Sequence, residues 1–286
     1  MMKKILFATD FSENAAAALV FAIKMAQKHH ASLVMLHIFD VPTSWNYPYT
    51  DDPIEMEREA LKDSLSKLKA YFQEYAKDDS VGLEVSYHAR ENLSQVKGIV
   101  SFALEQEPQL IVIGTRGGSM AKEIIVGGTA KSLIPRSPAP VLAVPEVAIF
   151  REVKNVLYLT DFHEMDVEAI RKLIEILAPY DPEISITHVN TYLIDSGHEK
   201  KEWFKNLVKE NLPAKKIHFH QILADNIYDG INSYLNDNRL DMLVMLEKRR
   251  ESFLDKIFHQ DLVKRMDFHT TMPLLSFNEH YLRGLP

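Results

Sequence analysis

The residues best suited to chemistry in this sequence are glycines. Gly114-Thr115-Arg116-Gly117-Gly118-Ser119 follows an apolar run, and Gly127-Gly128-Thr129 begins ten residues past Gly117, giving Gly-x2-Gly-x9-Gly-Gly. Glycine lets backbone N–H groups approach an anion closely and adopt conformations closed to other residues. The second cluster opens a short helix, whose first N–H groups have no partner inside the helix and attract phosphate. Arg116, Lys122 and Lys131 add positive charge nearby. Together these residues read as a phosphate cradle. The spacing is neither the P-loop nor the dinucleotide pattern, so a second reading, in which the glycines only make turns between strand and helix, stays open.

Asp10 comes directly after the apolar run Ile5–Ala8. In a doubly wound sheet that is where ligands bind, beyond the carboxyl end of a strand. The same Asp could instead close its own turn or cap the helix that follows. Ser12 is an expected cap for that helix, with Glu13 suiting the positive end of its dipole. Weaker candidates lie elsewhere. His218 and His220 share one face of a strand but lack an evident third metal ligand. Lys248, Arg249 and Arg250 form a basic turn, and the Asp40–Pro53 stretch, with Trp45, Tyr47 and Tyr49, is long for an α/β connection.

The elements that must position these residues alternate. Strands are expected at Ile5–Ala8, Leu33–Phe39, Val81–His88, Leu110–Ile113 and Pro140–Val144. Between them run helical stripes. Leu61, Leu65, Leu68, Phe72 and Tyr75 mark one, Val96, Ile99, Val100, Ala103 and Leu104 another, and a short helix falls near Thr129–Ile134. Strands alternating with helices predict a parallel, doubly wound, Rossmann-like sheet with helices on both faces.

The pattern then repeats. Lys3-Lys4-Ile5-Leu6-Phe7-Ala8-Thr9-Asp10-Phe11 returns as Lys154-Asn155-Val156-Leu157-Tyr158-Leu159-Thr160-Asp161-Phe162, and Leu36-His37-Ile38 returns in the same register as Thr187-His188-Val189. The second copy has expected strands at Val156–Leu159, Ile184–Val189, Lys216–Ile222, Met242–Leu246 and Leu274–Phe277. The reading is two tandem five-stranded α/β domains, 1–147 and 151–286. A chain of 286 residues also suits two domains. The second copy keeps Asp161 and His188, but Leu246-Glu247-Lys248-Arg249 stands where the first has Gly114–Gly117, so it has no cradle.

Composition narrows the function classes. A net charge of −7, from 33 Lys and Arg against 40 Asp and Glu, speaks against nucleic acid or an anionic membrane as partner. Zero cysteines remove disulfides, thiolate metal sites and a cysteine nucleophile. The first ten residues reach Asp10 after only four apolar residues, too few for a secretory signal. The longest apolar run, Ala15–Ile23, is far below the ~20 residues that span a bilayer. A cytoplasmic protein is expected.

On these residues the first copy resembles the universal stress protein family, whose signature is Gly-x2-Gly-x9-Gly-Ser/Thr after the fourth strand with an Asp after the first. Gly114, Gly117, Gly127, Asp10, Leu36-His37-Ile38 and Pro140-Val141-Leu142-Ala143-Val144 carry the match, over about the first 145 residues. The resemblance implies ATP as ligand, with or without a Mg or Mn ion. It places Gly114, Gly117, Gly127 and Gly128 at the phosphates and Asp10 and Ile38 at the base or ribose; Arg116, as a nearby positive charge, and Thr129, one residue past the family's hydroxyl position, complete the candidate set. It further implies that the two copies pair with each other through their fifth strands, that a homodimer could add to that, and that the role is stress-responsive binding rather than catalysis. Gly128 stands where the family has Ser or Thr, which implies weaker binding. Two alternatives remain: an interaction module that binds no nucleotide, and a slow ATP hydrolase.

Overall fold

Ile5, Leu6 and Phe7 are fully buried, as are Leu110, Ile111 and Val112. Continuous apolar runs of this kind belong to parallel strands covered on both faces. The computed structural model describes residues 2–41, 53–76, 80–115, 128–191, 197–212, 216–248 and 272–284. They group into two compact units, 2–150 and 151–284. Among them no helix is long and apolar enough to cross a membrane.

The first unit holds β1 (Lys4–Ala8), α1 (Asn14–His29), β2 (Ser32–Phe39), α2 (Pro53–Ala76), β3 (Val85–Glu91), α3 (Gln95–Gln106), β4 (Leu110–Thr115), α4 (Gly128–Leu133) and β5 (Val141–Pro145). Its strands run parallel in the order β3-β2-β1-β4-β5. The order reverses between β1 and β4. Right-handed crossovers then put α1 and α2 on one face and α3 and α4 on the other, and the helices do pack in those pairs.

The helices follow from their sequences. The small residues Ala15, Ala18, Ala22 and Ala26 of α1 are buried, which lets the helix lie close to β4 and β5. The helix ends at His30, whose left-handed φ of 54° lets its N–H reach the Ala26 and Gln27 carbonyls. On α2 the buried face is Ser64, Leu68, Tyr71, Phe72 and Ala76.

The second unit repeats the plan with β6 (Asn155–Leu159), α5 (Met165–Leu177), β7 (Glu183–Thr191), α6 (Gly197–Asn211), β8 (Ile217–Ala224), α7 (Ile227–Asp237), β9 (Met242–Glu247), β10 (Leu274–Asn278) and α8 (Glu279–Arg283). Its parallel order, β10-β9-β6-β7-β8, is the first unit's order with each strand replaced by its counterpart.

Two local expectations are corrected. The third strand begins at Val85 rather than Val81, because Gly82 takes φ 75° in a turn closed by the Leu83 N–H on the Ser80 carbonyl. Val81 is left 83% exposed there. Ser12 does not cap α1 with its side chain; Glu13 holds the cap position without a side-chain bond, and the Ser12 carbonyl accepts the Ala15 N–H instead. The expected loop with Trp45, Tyr47 and Tyr49 lies outside the described residues.

Candidate functional site

The site begins with a pinned turn. The Thr9 N–H donates to the Leu36 carbonyl at 3.0 Å, holding the end of β1 against β2. The Thr9 hydroxyl oxygen accepts the Phe11 N–H at 3.0 Å, and Asp10 Oδ1 accepts the Ser12 N–H at 3.1 Å. Asp10 therefore does close its own turn. Phe11 sits at φ 63°, a left-handed conformation unusual for a bulky residue. Its ring is held 4.2 Å from that of His37 and 6.0 Å from that of Tyr71, whose hydroxyl donates to the Ser12 carbonyl. These contacts fix the turn with Asp10 exposed at the carboxyl end of β1.

That turn borders a cleft of about 360 Å³, within the ~300–1,000 Å³ of small-molecule sites. Ala8, Leu36 and Ile113, neighbours in one register row across β2, β1 and β4, line it. Two strand spacings separate β2 from β4, ~10 Å, so the cleft crosses the point where the strand order reverses. At the β4 end stand Gly114, Gly128 and Thr129; at the β2 end, Ile38, Ile99 and Gln95. Of the residues picked from sequence, Asp10, Ile38, Gly114, Gly128 and Thr129 thus line one cleft. Arg116, Gly117 and Gly127 lie outside the described residues.

The two described glycines differ. A Cβ on Gly114 would lie 2.7 Å from Ala15 Cα and 3.0 Å from the Asn14 carbonyl oxygen, whereas one on Gly128 would meet nothing within 4 Å among the described residues. Gly114 is needed for the close approach of β4 to α1, independent of any ligand. No described residue crowds Gly128.

In the second unit the same turn recurs. Thr160 Oγ1 accepts the Phe162 N–H at 2.8 Å, Phe162 sits at φ 60°, and its ring lies 4.4 Å from His188. What differs is the crevice around it. The Lys248 ammonium donates to both carboxylate oxygens of Asp161, from a side chain only 12% exposed. By strand register Leu246 replaces Gly114, and two residues on in the sequence Lys248 stands where the first copy has Arg116. Asp166, at the place of Ala15, is buried and accepts from the Tyr158 hydroxyl (2.7 Å), the Thr160 hydroxyl (2.7 Å) and the His163 N–H (3.1 Å). Burial pushes the Asp166 carboxyl up from the usual range; the Thr160 and Tyr158 bonds pull it down, Asp161 pushes it up and Lys248 pulls it down. Sequence reasoning missed this cluster. Its signal was the paired change from Phe7 and Ala15 to Tyr158 and Asp166 in one repeat register.

The remaining candidates do not assemble. His218 Nε2 pairs with Glu183 at 2.7 Å, and the His220 ring lies 5.7 Å from that of Tyr234. No group of three or more His, Asp or Glu arranged to hold a metal ion occurs among the described residues. Lys248 is engaged with Asp161, while Arg249 and Arg250 lie outside the described residues.

A duplicated histidine gives the site a pH dependence. His37 Nδ1 lies 2.8 Å from the Thr9 carbonyl and His188 Nδ1 2.7 Å from that of Thr160. A carbonyl only accepts, so Nδ1 carries the proton in both. Burial lowers both pKa values. The carbonyl bond and the neighbouring Asp10 or Asp161 oppose this, while Lys67 or Lys200 reinforces it. A depressed histidine pKa means the unfolded chain binds more protons, so the contribution is present above ~6.5 and lost as pH falls through the folded pKa. Urea midpoints should fall from pH 7 to pH 5, and the His37→Asn, His188→Asn double variant should flatten that slope.

These features can be set beside known proteins. The sequence pattern of the Universal stress protein family matches residues 1–145. A universal stress protein of Mycobacterium bovis is 30% identical over 130 residues, 45% of this chain and 44% of its own. Another, of Methanocaldococcus jannaschii, is 28% identical over 148 residues, 50% of this chain and 82% of its own. The chain thus spans less than half the length of the mycobacterial relative. The crystal structure of a universal stress protein from Archaeoglobus fulgidus covers 96% of this chain and 98% of its own, with a TM-score of 0.63 and 16% identity, a likeness of fold. The parallel sheet order and the match across the whole first copy lead to one family: this chain belongs to the universal stress proteins.

Proposed function

We propose that the first unit holds an adenine nucleotide, ATP in the first place, and that the protein is a stress-responsive binding module. The observation that carries this is the cleft across the strand-order reversal, with open backbone at Gly128 and Thr129, a carboxylate at Asp10 in the middle, and an apolar wall at Ile38 and Ile99. Phosphates would lie at the first end, where the leading N–H groups of α4 have no partner inside the helix. The base would lie against the second. A Mg or Mn ion accompanying ATP would take phosphate oxygens among its ligands.

The test follows from Gly128. No described residue lies in its Cβ direction, so substitutions there test the ligand with little disturbance of the described packing. Gly128→Asp should fold normally and lose ATP in isothermal titration, since a carboxylate would face the phosphates. Gly128→Ser adds a hydroxyl, and one net hydrogen bond of ~0.5–1.5 kcal/mol tightens binding roughly two- to tenfold. Unchanged affinity in both variants would sink the reading. ATP turnover in the same samples, lost in Gly128→Asp, would turn the module into a slow hydrolase.

A second reading is favoured for the second unit alone. Its Asp161 is engaged by Lys248 and its glycine positions are filled, so that half serves as an interaction or supporting domain without nucleotide.

A further inference from the structure

Among the described residues, the cleft's polar side chains come from β1 and its turn, α1, β4 and α4, with one exception, Gln95. It is the first residue of α3 and reaches the cleft at the end opposite Gly128, beside Ile38 and Ile99. Its side chain is exposed, and its carboxamide has no hydrogen-bond partner among the described residues.

The position of Gln95 is set by its surroundings. The Asn92 N–H donates to the Phe39 carbonyl at 2.9 Å, tying the entry of α3 to the end of β2. Asn92 Oδ1 accepts the Ser94 N–H at 2.9 Å, and Ser94 caps the helix by accepting from Lys97 N. One turn on, a Cβ at Gly98 would lie 2.8 Å from Ile38 Cδ1, so this glycine lets α3 press onto Ile38. Helix entry, cap and close approach together hold Gln95 at the rim.

We infer that Gln95 selects adenine over guanine in this cleft, by hydrogen bonding the amino-bearing edge of the base; the inference rests on the nucleotide reading above. An apolar wall of Leu36, Ile38 and Ile99 accepts the face of any base. A carboxamide offers a donor and an acceptor side by side. Adenine presents the complement, its N6 amino donor beside the N7 acceptor, whereas guanine presents two acceptors, O6 and N7. One half of the Gln95 amide would face guanine unmatched.

The experiment measures binding of ATP, GTP and inorganic tripolyphosphate to the full chain and to its Gln95→Leu and Gln95→Ala variants. The unsubstituted chain should prefer ATP. Both variants should narrow the ATP-to-GTP ratio by about tenfold and leave tripolyphosphate affinity unchanged, since it has no base. Circular dichroism checks that both variants fold. An unchanged ratio, equal ATP and GTP affinity in the unsubstituted chain, or an equal loss for tripolyphosphate would overturn the assignment to Gln95. ATP binding with an unchanged ratio leaves the nucleotide reading standing, whereas no binding of any of the three overturns both.

Discussion

Asp166→Ala should lower the stability of the second unit by ~3–5 kcal/mol, and adding Tyr158→Phe should return about half of it. The Asp166 carboxylate is buried and accepts from Tyr158, Thr160 and the His163 backbone. Removing it strands two buried hydroxyl donors and one N–H, at ~1–3 kcal/mol for each donor left unsatisfied. Replacing both members of a polar pair by apolar residues costs much less than removing one. The double variant recreates what the first unit already has at those positions, Phe7 and Ala15, both buried. Thr160 would still lack its acceptor, so recovery stops short of complete. Trp203 on α6 lies in the second unit, and its fluorescence in a Trp45→Phe background would follow urea unfolding of that half. A loss below ~1 kcal/mol for Asp166→Ala would mean that water reaches the stranded donors.

The differences between the second crevice and the first are physically coupled. With Leu246 in place of Gly114, the close strand-to-helix approach of the first unit is gone. The helix position that was Ala15 then carries a polar side chain. Lys248 supplies the cation that Asp161 and Asp166 need nearby. A phosphate would compete with this arrangement for the Lys248 charge.

Much of the scaffold was legible in the sequence, for a physical reason. Parallel strands buried on both faces need continuous apolar runs, so Ile5–Ala8 and Leu110–Ile113 read clearly, and β1 and β4 follow them. The repeat was legible because the Thr-Asp-Phe turn depends on a hydroxyl at one position and a histidine on the neighbouring strand, and both copies keep them. The start of β3 was not legible. Val81, Leu83 and Val85 alternate as a strand would, and only the positive φ of Gly82 turns the first of them out to solvent. Asp166 was hidden because an acidic residue in the first turn of a helix ordinarily faces water and the positive end of the dipole. Gln95 was hidden because its role depends on how closely α3 lies on Ile38, a distance that Gly98 sets and no pattern of polarity records.

Gly114→Ala should cost the first unit about 3 kcal/mol and abolish ATP binding as a consequence. Its Cβ would lie 2.7 Å from Ala15 Cα, a backbone atom that cannot turn aside. Either β4 or the start of α1 must move. β4 pairs with β1 and β5 on its two sides, so the helix start gives way, taking Asn14 and the Asp10 turn with it. Hydrogen exchange of peptides covering the Asp10 turn and the start of α1 should speed up most, while those of β6 and β9 stay as before. Ala15→Gly should not rescue the variant, because the closest contact is to Cα and remains. Gly128→Ala, at the other glycine of the cleft, should alter stability by no more than ~0.5 kcal/mol. If the two alanine variants proved equally harmless to stability, the approach of β4 to α1 would be looser than 2.7 Å implies, and Gly114 would have to be explained by a ligand alone.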